Sequence, residues 1–174
     1  MSVRSVIAVL AVAAVVGLLV FGLVSKGSSR LAVGDAAPTE PLPRLEGGGT
    51  ESLVDYRGRW VLVNFWASWC EPCREEAPAL ERFQREHGGP KFTVLGIDTQ
   101  DLTSDGLGFM REYGLSYPQL RDGDGVAAED YGTTGVPENF LVNPQGRVRL
   151  IVLGPISEER LREEVAPLLP GDKS

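Results

Sequence analysis

The chain is short of the residues that build metal centres. Its 174 residues include two cysteines and one histidine, His87. A structural zinc site takes four ligands, usually as two Cys or His pairs at matching spacing, and His87 does not complete that set. The DGDG stretch at 122–125 lacks the remaining ligands of a calcium loop and reads as a turn. Gly-rich phosphate loops, Ser-His-Asp sets and internal repeats are also missing, so no metal and no bound cofactor is expected. Positive charge is scarce where it would matter. The first thirty residues hold three of the 17 basic residues and none of the 24 acidic ones, leaving 14 against 24, a net of −10, for residues 31–174. That balance argues against nucleic acid or an anionic membrane surface as partner.

What is present begins with an apolar run. Val6–Val24 carries no charge and is almost all Val, Ala, Leu or Ile. As a helix it would be about 28 Å long at ~1.5 Å per residue, close to the ~30 Å of a hydrocarbon core. A secretory signal has a shorter apolar stretch and a small-residue cleavage site, and the flank SKGSSR offers no A-x-A. A buried core helix would show a polar face, and this run has none. The expectation is a short segment 1–5, an uncleaved single-pass transmembrane anchor over 6–24, a tether over 25–37 and one domain over 38–170. Arg4 before the run and Lys26 and Arg30 after it nearly balance, so they do not fix the orientation. The acidic domain is assigned to the extracytoplasmic side of the cytoplasmic membrane.

The domain opens with a short strand near Pro41–Leu45, a turn at Gly47–Gly49 and a second strand over Glu51–Leu53, an N-terminal hairpin. WVLVNFW (60–66) and FTVLGID (92–98) are continuous apolar runs of strand formers, hence buried strands. A helix from the cysteines to about Glu86 lies between them, ended by HGGP. Ser104–Tyr113 reads as a helix capped near Ser104, and a short helix ending at Tyr131 follows the DGDG turn. Strands Asn139–Asn143 and Val148–Leu153 join through PQGR, and Ser157–Leu168 closes the chain as a helix. The order β-α-β then β-β-α implies an α/β fold, a central mixed β-sheet flanked by helices.

The only cysteines stand in WASWCEPC (66–73). A structural disulfide gains stability with loop length, and a pair three apart gains little. The metal reading fails for want of ligands. A redox reading has its context in place, with CxxC directly after a buried strand and opening a helix. Cys70 would then sit where unpaired backbone N–H groups and the helix dipole stabilise a thiolate, the attacking form in disulfide exchange. It is expected to be reachable from a shallow cleft. Cys73, one turn along the same face, is placed to attack a mixed disulfide on Cys70. Pro72 fits the first turn, where its missing N–H costs nothing; Pro78 is deeper and is expected to kink the helix.

VNFWASWCEPCREEAPAL (63–80) resembles the active-site segment of the thioredoxin superfamily, including the helix proline eight residues after the first cysteine. DGDGVAAEDYGTTGVPENFLVNPQGRV (122–148) is similar to one branch, the membrane-anchored CcmG/DsbE proteins and their ResA-like relatives, thiol–disulfide oxidoreductases of cytochrome c maturation. The resemblance covers roughly residues 35–170 and implies a thioredoxin-like fold. Alone, Gly135–Pro137 reads equally as an ordinary turn or as a cis-proline site. The resemblance implies cis at Val136–Pro137, with Pro137 facing the CxxC and the Val136 backbone free to pair with a client peptide. It also implies that Trp69 and Pro72 flank that substrate groove.

Thioredoxins usually carry a buried Asp six residues before the first cysteine, and here that position is Asn64. The acids left nearby are Glu71, Glu75, Glu76 and Glu138. The resemblance implies that Glu71 and Glu138 tune the thiols or move protons. Glu75 and Glu76 read either as such groups or as a solvated helix face. Negative charge beside Cys70 disfavours its thiolate and favours a reductant, while Arg74 pulls the other way. Trp66, Tyr131 and His87 read as structural or surface residues.

The expected function is an extracytoplasmic reductase in which Cys70 attacks a client disulfide and Cys73 resolves it. The resemblance implies the haem-binding cysteines of apocytochrome c as client and a CcdA-type membrane protein as electron donor. The rivals are a general exported reductase with other clients, a thiol peroxidase, and a non-enzymatic module whose disulfide switches its shape.

Overall fold

The structure, a computed structural model, describes residues 12–18 and 30–170. Most of the expected anchor over 6–24 lies outside those residues. Residues 12–18 of it are helical, and no helix among the described residues is long and apolar enough to cross a membrane.

A five-stranded sheet with spatial order β5-β4-β3-β6-β7 forms the centre. Its strands are β3 (Trp60–Trp66), β4 (Phe92–Thr99), β5 (Gln119–Asp122), β6 (Glu138–Val142) and β7 (Val148–Leu153). β3, β4 and β5 run parallel, and β6 and β7 are antiparallel to their neighbours. The two parallel steps are crossed by α1 (Glu71–His87) and α2 (Thr103–Tyr113). α3 (Val126–Tyr131) packs on the opposite face from α1.

Alternation along β3 builds both cores. Val61, Val63 and Phe65 face one side with Ile97, Phe140 and Tyr131, while Leu62 and Trp66 face the other with Leu80, Phe83 and Phe109. Trp66, Phe65 and Phe140 are each exposed by 2% or less, and each such burial is worth roughly 1.5–3 kcal/mol. Asn64, by its parity, lies on the α1 side.

Several elements differ from the sequence reading. The hairpin exists but is shorter: β1 is Leu42–Pro43 and β2 is Thr50–Glu51. Leu53 belongs instead to a 3-10 turn, Leu53–Tyr56, because Ser52 caps it and Asp55 returns the bond in a capping box. β5 was not expected at all; its residues QLRD form no apolar run and are held by parallel pairing with β4. α2 begins behind Leu102, not Ser104, and has no side-chain cap. The closing helix has a cap where expected, Ser157 accepting from the Arg160 N–H. It is not one α-helix, however: after α4 (Glu158–Arg160) the turns widen over Leu161–Val165 and tighten over Ala166–Leu168.

Among the described residues, 30–37 of the expected tether already pack on the domain. The backbone of Gly34, Asp35 and Ala37 bonds to Val148 and Gly146 beside β7, and Leu31 packs on the α3 side of the sheet.

Candidate functional site

β3 ends at Trp66, and the chain turns through Ala67, Ser68 and Trp69 into α1. Cys70 is the N-cap of α1, in extended conformation, and its Sγ accepts the backbone N–H of Cys73 at 3.2 Å. Pro72 stands in the first turn, exposed, as its lack of an N–H allows. Cys70 and Cys73 are joined as a disulfide with Cα atoms 5.3 Å apart.

The reachable cleft expected around Cys70 is tighter than supposed. Cys70 is 4% exposed and Cys73 1%, because both pack into the apolar cluster that Val136 also touches. The difference still ranks them, with Cys70 on the outer side. The Val136–Pro137 bond is cis, the isomer the resemblance implies. Val136 is half-buried beside an open groove of about 470 Å³, lined also by Arg30, Trp69, Gln100, Glu129 and Thr134. Trp69 is 63% exposed, its Nε1 donating to the Gln100 carbonyl at 3.3 Å.

The four acids separate sharply. Glu71 and Glu75 are exposed on α1. Glu76 is not part of a solvated face: it is 3% exposed. Its Oε1 accepts from Asn64 Nδ2 at 2.6 Å, and its Oε2 accepts from Ile156 N at 2.8 Å and Asn139 Nδ2 at 3.2 Å. Asn64 Nδ2 also reaches Asn139 Oδ1 at 3.0 Å, across the β3–β6 ladder. Burial pushes the Glu76 carboxyl up to about 7, against three hydrogen bonds that favour its ionised form. A group with that value gives and takes protons at neutral pH, and it lies one turn beyond Cys73 on the same buried stripe. The signal was present in the sequence. Cys73, Glu76, Ala77, Leu80 and Phe83 follow the spacing of a helix's inner face.

Glu138, beside the cis-proline, is also buried. Its Oε1 collects the Arg30 guanidinium at 2.8 Å and both the N–H and hydroxyl of Thr134 at 3.0 Å. Arg30 was not a sequence candidate; a contact 108 residues apart leaves no local trace. Arg74 is drawn off the thiols, donating to the Ser68 carbonyl at 2.8 Å and to Glu112, with its guanidinium 5.7 Å from the Phe109 ring centre. Trp66 stacks on Phe109, Tyr131 packs against Phe65 and Phe140, and His87 lies on Phe83, all structural positions. Asp122 of the DGDG turn caps α3 through the N–H groups of Ala127 and Ala128. Among the described residues no cluster of three or more Cys, His, Asp or Glu side chains is arranged to hold a metal.

Comparison with known proteins agrees with this geometry. The AhpC/TSA family profile matches residues 33–151. The thiol:disulfide interchange protein HelX of Rhodobacter capsulatus is 34% identical over 167 residues, covering 93% of both chains. The thiol–disulfide oxidoreductase ResA of Bacillus subtilis is 28% identical over 158 residues, covering 91% of this chain and 88% of ResA. Among solved structures, a putative DsbE from Chlorobium tepidum superposes with a TM-score of 0.69 at 31% identity, covering 75% of this chain and 91% of that one.

Proposed function

The chain belongs to the AhpC/TSA family, as a thioredoxin-like thiol–disulfide oxidoreductase of the ResA, HelX and DsbE type, and from that premise we propose that it reduces disulfides in exported proteins, chiefly the haem-binding cysteine pair of apocytochrome c. The observation that carries the reading is the Cys70–Cys73 pair at the start of α1, with the Glu76 carboxyl one turn behind it.

The reaction begins with both cysteines reduced. The Cys70 thiolate, stabilised by the α1 N-terminus, attacks one sulfur of the client disulfide. A Cys70–client bond forms, and the other client sulfur leaves as a thiolate that takes a proton. Cys73 then loses its proton to Glu76 and attacks Cys70 Sγ. The Cys70–client bond breaks, the second client thiolate departs, and the Cys70–Cys73 disulfide remains. Two electrons and two protons from a CcdA-type dithiol donor in the membrane restore the starting state. Trp69 and Val136 border the groove in which the client strand lies, its backbone pairing with that of Val136, which the cis bond to the buried Pro137 presents. Glu71 and Glu138 add negative charge around the pair, which lowers the gain from the helix dipole and keeps the protein a reductant. In this reading residues 6–24 anchor the chain and hold the catalytic domain on the extracytoplasmic side.

Cys73→Ala in native membranes tests the proposal. The variant retains the attacking thiol and lacks the resolving one, so it should accumulate Cys70-linked mixed disulfides that include cytochrome c precursors. Capture of unrelated thiol proteins alone ends the maturation role and keeps the reductase. No mixed disulfide at all, with peroxide consumed by the wild-type protein, would mean a peroxidase.

A further inference from the structure

Asp98 takes no part in the thiol chemistry, yet nothing in the fold satisfies it as a carboxylate. It stands near the end of β4, fully buried, between Trp66 of β3 and Arg121 of β5 in the parallel ladder. A methyl group built on Gly106 would lie 2.5 Å from Asp98 Oδ2, so α2 closes over the carboxyl. No N–H or O–H of the described protein reaches either of its oxygens.

The charged groups around it are Asp101 from the β4–α2 loop and Arg121 and Asp122 from β5; α2 offers Gly106 and β3 offers Trp66, neither of which titrates. Arg121 sends its Nη2 to the Asp101 carbonyl at 3.2 Å. Asp122 is taken up by Thr99, Ala127 and Ala128. Asp101 is left as the hydrogen-bonding neighbour, and it is a second carboxylate. With Asp98 fully buried and Asp101 half-buried beside it, the two carboxyls favour holding one proton between them, on the buried one. Burial first, then Asp101, pushes Asp98 up to about 8.

Asp101 is committed elsewhere. Its Oδ2 accepts the Ser68 N–H at 2.6 Å and its Oδ1 the Leu102 N–H at 2.8 Å. Ser68 lies two residues before Cys70, and Trp69 between them bonds to the same loop through Gln100. We propose that Asp98 is a positioning residue: protonated, it donates to Asp101 and holds that carboxylate under the Ser68 N–H; ionised, it repels Asp101 and loosens the turn that carries Trp69 and Cys70. Its effect on client handling rests on the function proposed above, but the loop movement itself does not.

The test uses the oxidised full-length protein, in which neither thiol titrates. The Ser68 amide resonance should shift with a midpoint near 8 in the wild type. In Asp98→Asn, which keeps the shape and a permanent donor, the step with its midpoint near 8 should vanish, leaving at most the smaller one near 7 that belongs to Glu76. If that variant does not fold, the Asp98 carboxyl carbon of the wild type reports the same proton directly. A Ser68 step near 8 that survives Asp98→Asn, or an Asp98 carboxyl titrating near its ordinary value of ~4, overturns the proposal.

Discussion

The side-chain amide of Asn64 donates to the Glu76 carboxyl at 2.6 Å, spanning the space between β3 and α1. The strand position that holds an acid in thioredoxins holds an amide here, and the acid has moved to the helix, one turn past Cys73. Asn64 is therefore a hydrogen-bond partner of the proposed proton acceptor. Its partner Asn139 and the Ile156 N–H complete a neutral cradle around a buried carboxyl.

Glu76→Gln keeps the size and removes the proton site. Release of client from Cys70 should slow by about 100-fold or more near neutral pH, the lower end of the usual scale for a positioned general base. The pH–rate profile of that step should also lose its limb near 7. Single-turnover measurement with a disulfide-bonded CxxCH peptide, following the mixed disulfide, reads both. Unchanged resolution across pH would assign the proton to another group.

Stability should carry the same signature. Glu76 sits above its ordinary 4.5 at about 7, and Asp98 above 3.8 at about 8, both raised chiefly by burial. For a raised acid the folded state holds the proton more tightly than the unfolded chain. Its contribution is thus complete below the unfolded value and is lost as pH climbs through the folded one. The oxidised protein should melt at a higher temperature at pH 5 than at pH 8.5. Asn64→Asp puts a second carboxyl against Glu76 and steepens this trend. Its Tm at pH 8.5 should fall on the order of 10 °C below wild type, with the gap closing toward pH 5. Calorimetry at both pH values decides; a gap independent of pH would mean plain steric damage.

The parts legible in the sequence were those with a continuous local signal. β3 and β4 are unbroken apolar runs, and α1 is announced by CxxC with Pro72 behind a buried strand. β5 was missed because QLRD has no such run; pairing with β4 makes it a strand. Ser104 looked like a cap, but the loop before it spends Asp101 on Ser68 and Leu102. The two readings of Glu76 stayed open because its charge suits a solvated face while its position on the helix suits the buried one, where it lies. Arg30 meets Glu138 only once the sheet is assembled, and no short window of sequence contains both; Asp98 has Asp101 three residues away, but its burial under α2 and between β3 and β5 shows only in the folded chain.

Arg30 fastens the N-terminal segment to the groove. Its backbone passes so close to Gly132 that a methyl group there would meet Arg30 Cα at 2.5 Å, and Gly132 has a positive φ of 67°. Gly132→Ala should cost about 1–3 kcal/mol for the strained backbone and push the segment off α3. Arg30→Ala should cost about 1–3 kcal/mol by leaving the buried Glu138 with Thr134 alone. In Gly132→Ala, limited trypsin digestion should cut after Arg30 faster than in wild type. Equal cutting rates would show that the segment is held by its contacts with β7 alone.

Trp69 separates binding from chemistry. Its ring is mostly in solvent, tied down by one hydrogen bond to Gln100, so its loss takes little from the core. Trp69→Ala should leave the thermal midpoint within about 2 °C of wild type. A small dithiol needs no groove, and its exchange with the Cys70–Cys73 disulfide should proceed at nearly the wild-type rate. A protein or peptide client rests on the ring, and KM for it should rise about tenfold with kcat little altered, the pattern of lost uniform binding. If small-dithiol exchange falls by the same factor, Trp69 acts on the sulfur chemistry itself and the groove must be read from Val136 and its other walls alone.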